Sequence, residues 1–156
     1  MEVYMRKVFG LIMAVMILVG TGCGLAETVS LPESRYAVTV PDGMECDGPT
    51  EGTREAFVYL SEELGLEVHF FRYEAGVMET VKELLTSGAE DMNMAPVNGL
   101  ETFVFRYPDE GDGWKAIGYI LEDGDATQVI LFWYGTQEAA DLAKTIMESI
   151  EETETI

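Results

Sequence analysis

Apolar and polar positions change period several times along this chain, and the changes mark its elements. Val8 to Val19 is apolar without a break. Tyr36-Ala37-Val38-Thr39-Val40 is short, β-branched and aromatic, and stops at Pro41-Asp42-Gly43, the pattern of a strand ended by a turn. Met44 to Arg54 is rich in Gly, Asp, Pro and Glu and reads as loop. Ala56–Leu60 and Leu66–Tyr73 are two further strands, joined as a hairpin by Ser61-Glu62-Glu63-Leu64-Gly65. From Val77 the period lengthens. Val77, Val81, Leu84 and Leu85 fall on one face of a helix, and Gly88 is placed to end it, because glycine accepts the left-handed conformation that closes many helices.

Met92 to Val97 fits neither period cleanly, and Asn98-Gly99 after it marks a turn or bulge. A meander follows. Glu101–Tyr107, Trp114–Leu121 and Thr127–Tyr134 are strands, joined by the acidic turns 108–113 and 122–125. In the last of these strands Val129, Leu131 and Trp133 face one way and Ile130, Phe132 and Tyr134 the other. Both faces are apolar, so this strand is expected to be central and covered on both sides. Thr136 can cap the final helix with its hydroxyl. Ala139, Leu142, Ala143, Ile146, Met147 and Ile150 form that helix's apolar stripe. The expected architecture is α+β: a central, mainly antiparallel sheet of about six strands flanked by two helices, in the order βββ-α-βββ-α.

The opening apolar run belongs to a different part of the molecule. Arg6 and Lys7 precede it and small residues follow, which is the plan of a secretory signal peptide. The run is short for a membrane span, which needs about 20 apolar residues. Gly24-Leu25-Ala26 offers small residues for cleavage between Ala26 and Glu27, the preferred reading. Gly20-Thr21-Gly22-Cys23 resembles a bacterial lipobox, which would make Cys23 the lipidated first residue, although a branched aliphatic residue is usual where Gly20 stands. An uncut anchor is the third alternative. The expected layout is a signal peptide at 1–26, a polar lead at 27–34, one α+β domain at 35–151 and an acidic tail at 152–156.

Charge narrows the partners. The chain has 9 basic and 29 acidic residues, a formal charge of −20. Removing Glu2, Arg6 and Lys7 with the leader makes the remainder one unit more negative. Nucleic acid and anionic lipid headgroups are excluded as partners by this balance. Contact with a membrane is expected only through a lipid on Cys23, and the domain itself is expected to be a monomer. Cys23 and Cys46 are the only cysteines. Cleavage discards Cys23 and lipidation occupies its sulfur, so Cys46 is left without an intramolecular partner and the core must hold the domain together.

The order of elements resembles that of the PsbP/DcrB-like family, small exported or extrinsic proteins with a central antiparallel sheet flanked by helices. Tyr36-Ala37-Val38-Thr39-Val40-Pro41-Asp42-Gly43, then Val97-Asn98-Gly99-Leu100 before the meander, then the helix 138–150 carry the resemblance. It spans nearly the whole mature chain. It implies a fold and a noncatalytic accessory or binding role, carries over no functional residue, and the acidic loop 45–55 departs from it.

Candidate chemistry is sparse. His69 is the only histidine, flanked by Val68, Phe70 and Phe71 in a strand, where a structural histidine is the expectation. There is no Gly-x-Ser-x-Gly elbow, phosphate loop or paired-cysteine site. Among so many carboxylates a pair at acid–base separation arises by chance. Asp109, Glu110 and Asp112, and Asp123 and Asp125 beside Glu122, are weak calcium candidates, because hard oxygen ligands and bending glycines occur together without EF-hand spacing. Met92-x-Met94 offers thioethers to copper, against ordinary use of Met in cores. Trp114, Trp133 and Tyr134 are core aromatics before they are a ligand pocket. The expectation is an exported, noncatalytic protein without a cofactor, binding a protein or envelope component at the bacterial cell surface. A secreted domain binding a small ligand or calcium, and an enzyme of unrecognised type, are the alternatives.

Overall fold

A computed structural model describes residues 27–47, 57–74 and 76–153. The leader with Cys23 and Ala26, most of the acidic loop and the last three residues lie outside the described residues. Strands β1 (Glu27–Ser30), β2 (Tyr36–Val40), β3 (Glu45–Asp47), β4 (Phe57–Ser61) and β5 (Leu66–Tyr73) come first. Helix α1 (Met78–Thr86) separates them from β6 (Asp91–Val97), β7 (Leu100–Tyr107), β8 (Lys115–Asp123) and β9 (Ala126–Tyr134). Helix α2 (Gln137–Glu148) and the two-residue strand β10 (Glu151–Glu152) close the chain. The α+β class with mainly antiparallel pairing is as the periodicity predicts.

The strands form two sheets rather than one. A seven-stranded antiparallel sheet runs β3-β4-β5-β9-β8-β7-β6, with β9 at its centre. A three-stranded sheet runs β1-β2-β10. The meander therefore has four strands, because Met92–Val97 lies inside β6 and Asn98-Gly99 is its tight turn, both residues at positive φ (48° and 82°).

β9 is apolar on both faces because it is covered on both. Ile130 and Phe132 enter a core shared with Leu66, Val68 and Phe70 of β5, with Val38 and Val40 of β2, and with Ala139, Ala143, Ile146 and Met147 of α2. Val129, Leu131 and Trp133 join Phe105, Ile120 and Val81 on the side of α1. Each large side chain so buried stabilises the fold by about 1.5–3 kcal/mol relative to exposure. Helix α2 presents the expected stripe, with Leu142 only partly buried, and Thr136 Oγ1 accepts the Ala139 N–H at 3.1 Å. Gly88 has φ 87° just beyond α1.

Several segments differ from the sequence reading. Glu45–Asp47, read as part of the loop Met44 to Arg54, is β3 and pairs antiparallel with β4, because backbone pairing needs no apolar period. Glu27–Ser30, read as polar lead, is β1 and pairs antiparallel with β2; only Val29 of its four residues reaches the core, too little apolar content to show a period. The acidic tail, expected to begin at residue 152 outside the domain, starts inside it: Glu151 and Glu152 pair with Ala37 and Tyr36 of β2, and Thr153 N–H donates to the Arg35 carbonyl at 2.6 Å. Leu84, expected in the buried stripe of α1, is 70% exposed. At 100° per residue it is turned about 60° from Val81, the one fully buried position of this short helix.

The small sheet is fastened to the large one by polar contacts. Gln128, fully buried in β9, donates from Nε2 to the Pro32 carbonyl at 2.9 Å and to Asp123 Oδ2 at 3.2 Å. Arg35 lies 3.7 Å from Asp123 and 3.1 Å from Glu152.

Candidate functional site

The first acidic turn folds its carboxylates inward. Asp109 Oδ1 accepts the N–H groups of Gly111 (2.8 Å) and Gly113 (3.0 Å), and Asp112 Oδ1 accepts that of Trp114 (3.0 Å). These backbone donors, Gly111 first, hold the Asp109 carboxyl below its ordinary range. Glu110 is exposed beside them. The second turn is shorter than its sequence suggests. Glu122 and Asp123 are the last residues of β8, and only Gly124-Asp125 turns the chain. Alternation then sends neighbouring carboxylates to opposite faces. Asp123 is spent on Arg35 and Gln128, while Glu122 and Asp125 line a groove beside α1. Among the described residues no group of three His, Cys, Asp or Glu side chains is arranged to hold a metal ion.

His69 sits beside a carboxylate. Its Nε2 is 3.3 Å from Glu67 Oε2, both residues are 8% exposed, and Phe71 stacks on the ring at 6.1 Å. The i, i+2 spacing in β5 puts both side chains on one face. An imidazole oriented by a carboxylate is a general-base arrangement, yet the pair does not line either of the grooves described below. Trp133 is core: it stacks on Tyr107 at 5.9 Å, on the α1 side of the sheet. Tyr134 packs at the opposite face, so the aromatics do not converge on one pocket. Cys46 is a free, exposed thiol. Burial, then contact with Cys46, pushes the Tyr59 hydroxyl well above its ordinary pKa. Glu27, a candidate mature terminus, is the first residue of β1 and pairs with Val40.

Among the described residues a groove runs along the α1 face of the sheet. Met78, Lys82, Met94, Leu100, Glu101, Ile120 and Glu122 line a volume of about 390 Å³. It adjoins a second of the same size at Met78 and Glu122, bounded further by Glu79, Asp125 and Thr127. Carboxylates therefore surround an apolar floor. Lys82, a cation on its wall, is held by Glu79 at 3.1 Å and lies over the Phe103 ring at 5.2 Å. Sequence reasoning missed Met78, Lys82 and Glu101 because nothing local relates a helix residue to a strand residue twenty positions on. Met92 and Met94 stand 53% and 57% exposed on edge strand β6, not in a core.

No family model matches the chain, and no curated protein matches it. Solved structures do. The solution structure of cyanobacterial PsbP (CyanoP) from Synechocystis sp. PCC 6803 is similar with a TM-score of 0.61 at 10% identity, over 86% of this chain and 98% of that one. A crystal structure of a protein from Bacteroides thetaiotaomicron is similar with a TM-score of 0.59 at 12% identity, over 83% of this chain. This chain spans 49% of that protein's length. The fold is PsbP-like.

Proposed function

We propose that this protein is an exported, noncatalytic accessory domain that acts by holding a protein partner in the bacterial envelope. The observation that carries the reading is the match to CyanoP, which extends over nearly the whole of both chains. Export rests on the leader pattern, and no helix among the described residues is long and apolar enough to cross a membrane. A chain cut after Ala26 is freely secreted, and one modified at Cys23 is tethered. A second reading, a small ligand with a cationic group, is favoured by the carboxylate-rimmed groove beside α1.

Intact mass of the protein from native membranes and from medium, followed by cross-linking in the same fractions, tests the proposal. A mass beginning at Glu27, or at Cys23 with acyl chains, and one reproducible cross-linked partner are expected. An uncleaved mass in the cytoplasmic fraction, or a measured turnover abolished by replacing one carboxylate or His69, would overturn it.

A further inference from the structure

Strand β6 ends the seven-stranded sheet, and its outer side is open among the described residues. β6 and β7 are joined by the two-residue turn Asn98-Gly99, with Val97 opposite Leu100. In such a hairpin the residues flanking the turn exchange hydrogen bonds, and every second pair does so thereafter. Val97, Ala95 and Asn93 thus direct their backbone groups at β7, and the Ala95 carbonyl also receives the Thr102 hydroxyl at 2.9 Å. Pro96, Met94 and Met92 direct theirs outward. Pro96 has no N–H, which suits an outward position. Among the described residues no strand pairs with that side. Natural edges are blunted by proline and charge. Pro96 and Asp91 stand near the two ends of β6, and the run Met92-Asn93-Met94-Ala95 between them carries neither charge nor proline. There Asn93 Nδ2 donates to the Met94 carbonyl at 3.4 Å, a long bond that an incoming strand can displace.

The open edge adjoins the groove, because Met94 belongs to both. Glu101 and Glu122 leave that groove negative, since Lys82 on its wall is already paired with Glu79 at 3.1 Å. A second copy of the chain would set −20 against −20, which disfavours self-pairing. We infer that the outer edge of β6 docks an extended cationic segment of a partner protein by strand addition, with a Lys or Arg stem lying along Met94, its charge directed to Glu101 on β7 and attracted at longer range by Glu122 on β8. Backbone pairing at Met92 and Met94 supplies affinity, and alternate side chains supply selectivity. Long basic side chains suit the groove, since their stems cover apolar surface while their heads meet carboxylates. This inference rests on the accessory reading and adds where the partner binds and what its docking segment is.

The probe is the peptide acetyl-Lys-Val-Lys-Val-Lys-Val-amide, added at low salt to the full mature chain. Binding at about 1 mM or tighter is expected, with amide hydrogen exchange of Met92 and Met94 slowed several-fold. The same peptide N-methylated at every residue keeps its charge but has no backbone N–H to donate on either edge, and should bind at least tenfold more weakly. Met94→Pro removes an N–H that faces away from β7 and pairs with no strand among the described residues, so it should abolish binding without lowering Tm. Glu101→Gln with Glu122→Gln, on an intact edge, should weaken binding several-fold and serves if the proline variant fails to fold. Equal binding of the two peptides, unchanged exchange at β6, or no binding would overturn the inference. Retention of the native cross-linked partner by a folded Met94→Pro variant would overturn it while leaving the accessory reading standing.

Discussion

Gly118 is the position where one methyl group should matter most. It lies opposite Phe105 across the β7–β8 pair. A Cβ built there would meet the Phe105 ring at 2.1 Å (Cζ), 2.5 Å (Cε1) and 2.7 Å (Cε2), all inside contact distance. The ring cannot swing away cheaply. Phe105 is fully buried, packed in the core with Val81 and edge-on to Tyr107 at 5.4 Å. Gly118→Ala therefore forces overpacking, which costs about 1–3 kcal/mol. Loss of glycine's freedom in the unfolded chain offsets about 0.4–1 kcal/mol of that. A net loss of roughly 1–2 kcal/mol, or about 4–10 °C in Tm for a domain this size, is expected. Urea unfolding monitored by Trp fluorescence measures it. Phe105→Leu makes room, so Gly118→Ala in that background should cost at least about 1 kcal/mol less. An unchanged midpoint for Gly118→Ala, or additive losses in the double variant, would refute the assignment of strain to this contact.

Three other outcomes follow from the geometry. Asn98 holds φ 48° and donates from Nδ2 to the Ile150 carbonyl at 2.6 Å, so Asn98→Ala should cost about 1–2 kcal/mol and Asn98→Gly less, read as denaturation midpoints. Asp109, whose folded pKa is lowered, binds its proton more weakly when folded. The ordered turn is therefore favoured above the ordinary value of 3.8 and loosens as pH falls through the lower folded value. Gly111 and Gly113 amide shifts should titrate with a midpoint below 3.8 in the wild type and not in Asp109→Asn. Because Asp109 Oδ1 is engaged by the loop's own N–H groups, about 1 mM calcium should shift Tm no more than magnesium does. A calcium-specific rise of several degrees, lost in Asp109→Ala, would show that the turn reorganises around the ion.

The chain's local signals carried much of the architecture. The alternation of Val129 to Tyr134 placed β9 at the sheet centre, because a strand apolar on both faces must be covered on both. Thr136 and Gly88 marked two helix ends, and Asn98-Gly99 a turn or bulge that the structure makes the tight turn of a hairpin. The fold-level resemblance pointed to the architecture that CyanoP shares. Met92–Val97 was harder, because only Ala95 and Val97 of this edge strand are half-buried, too short a stretch to show alternation.

What the sequence determined alone is the period of each element, its caps and turns, the charge of −20 and the leader pattern, since each depends on residues within a few positions of one another. The tertiary structure decided the pairing. It recruited β1 and β10 to β2, so that Thr153 reaches Arg35 across 118 positions, through backbone groups that every sequence possesses. It buried Gln128 and Asp123 as a fastening between sheets, set His69 against Glu67, and assembled the groove from α1 and β6–β8. Such contacts depend on which surfaces meet after collapse, and no local pattern records them.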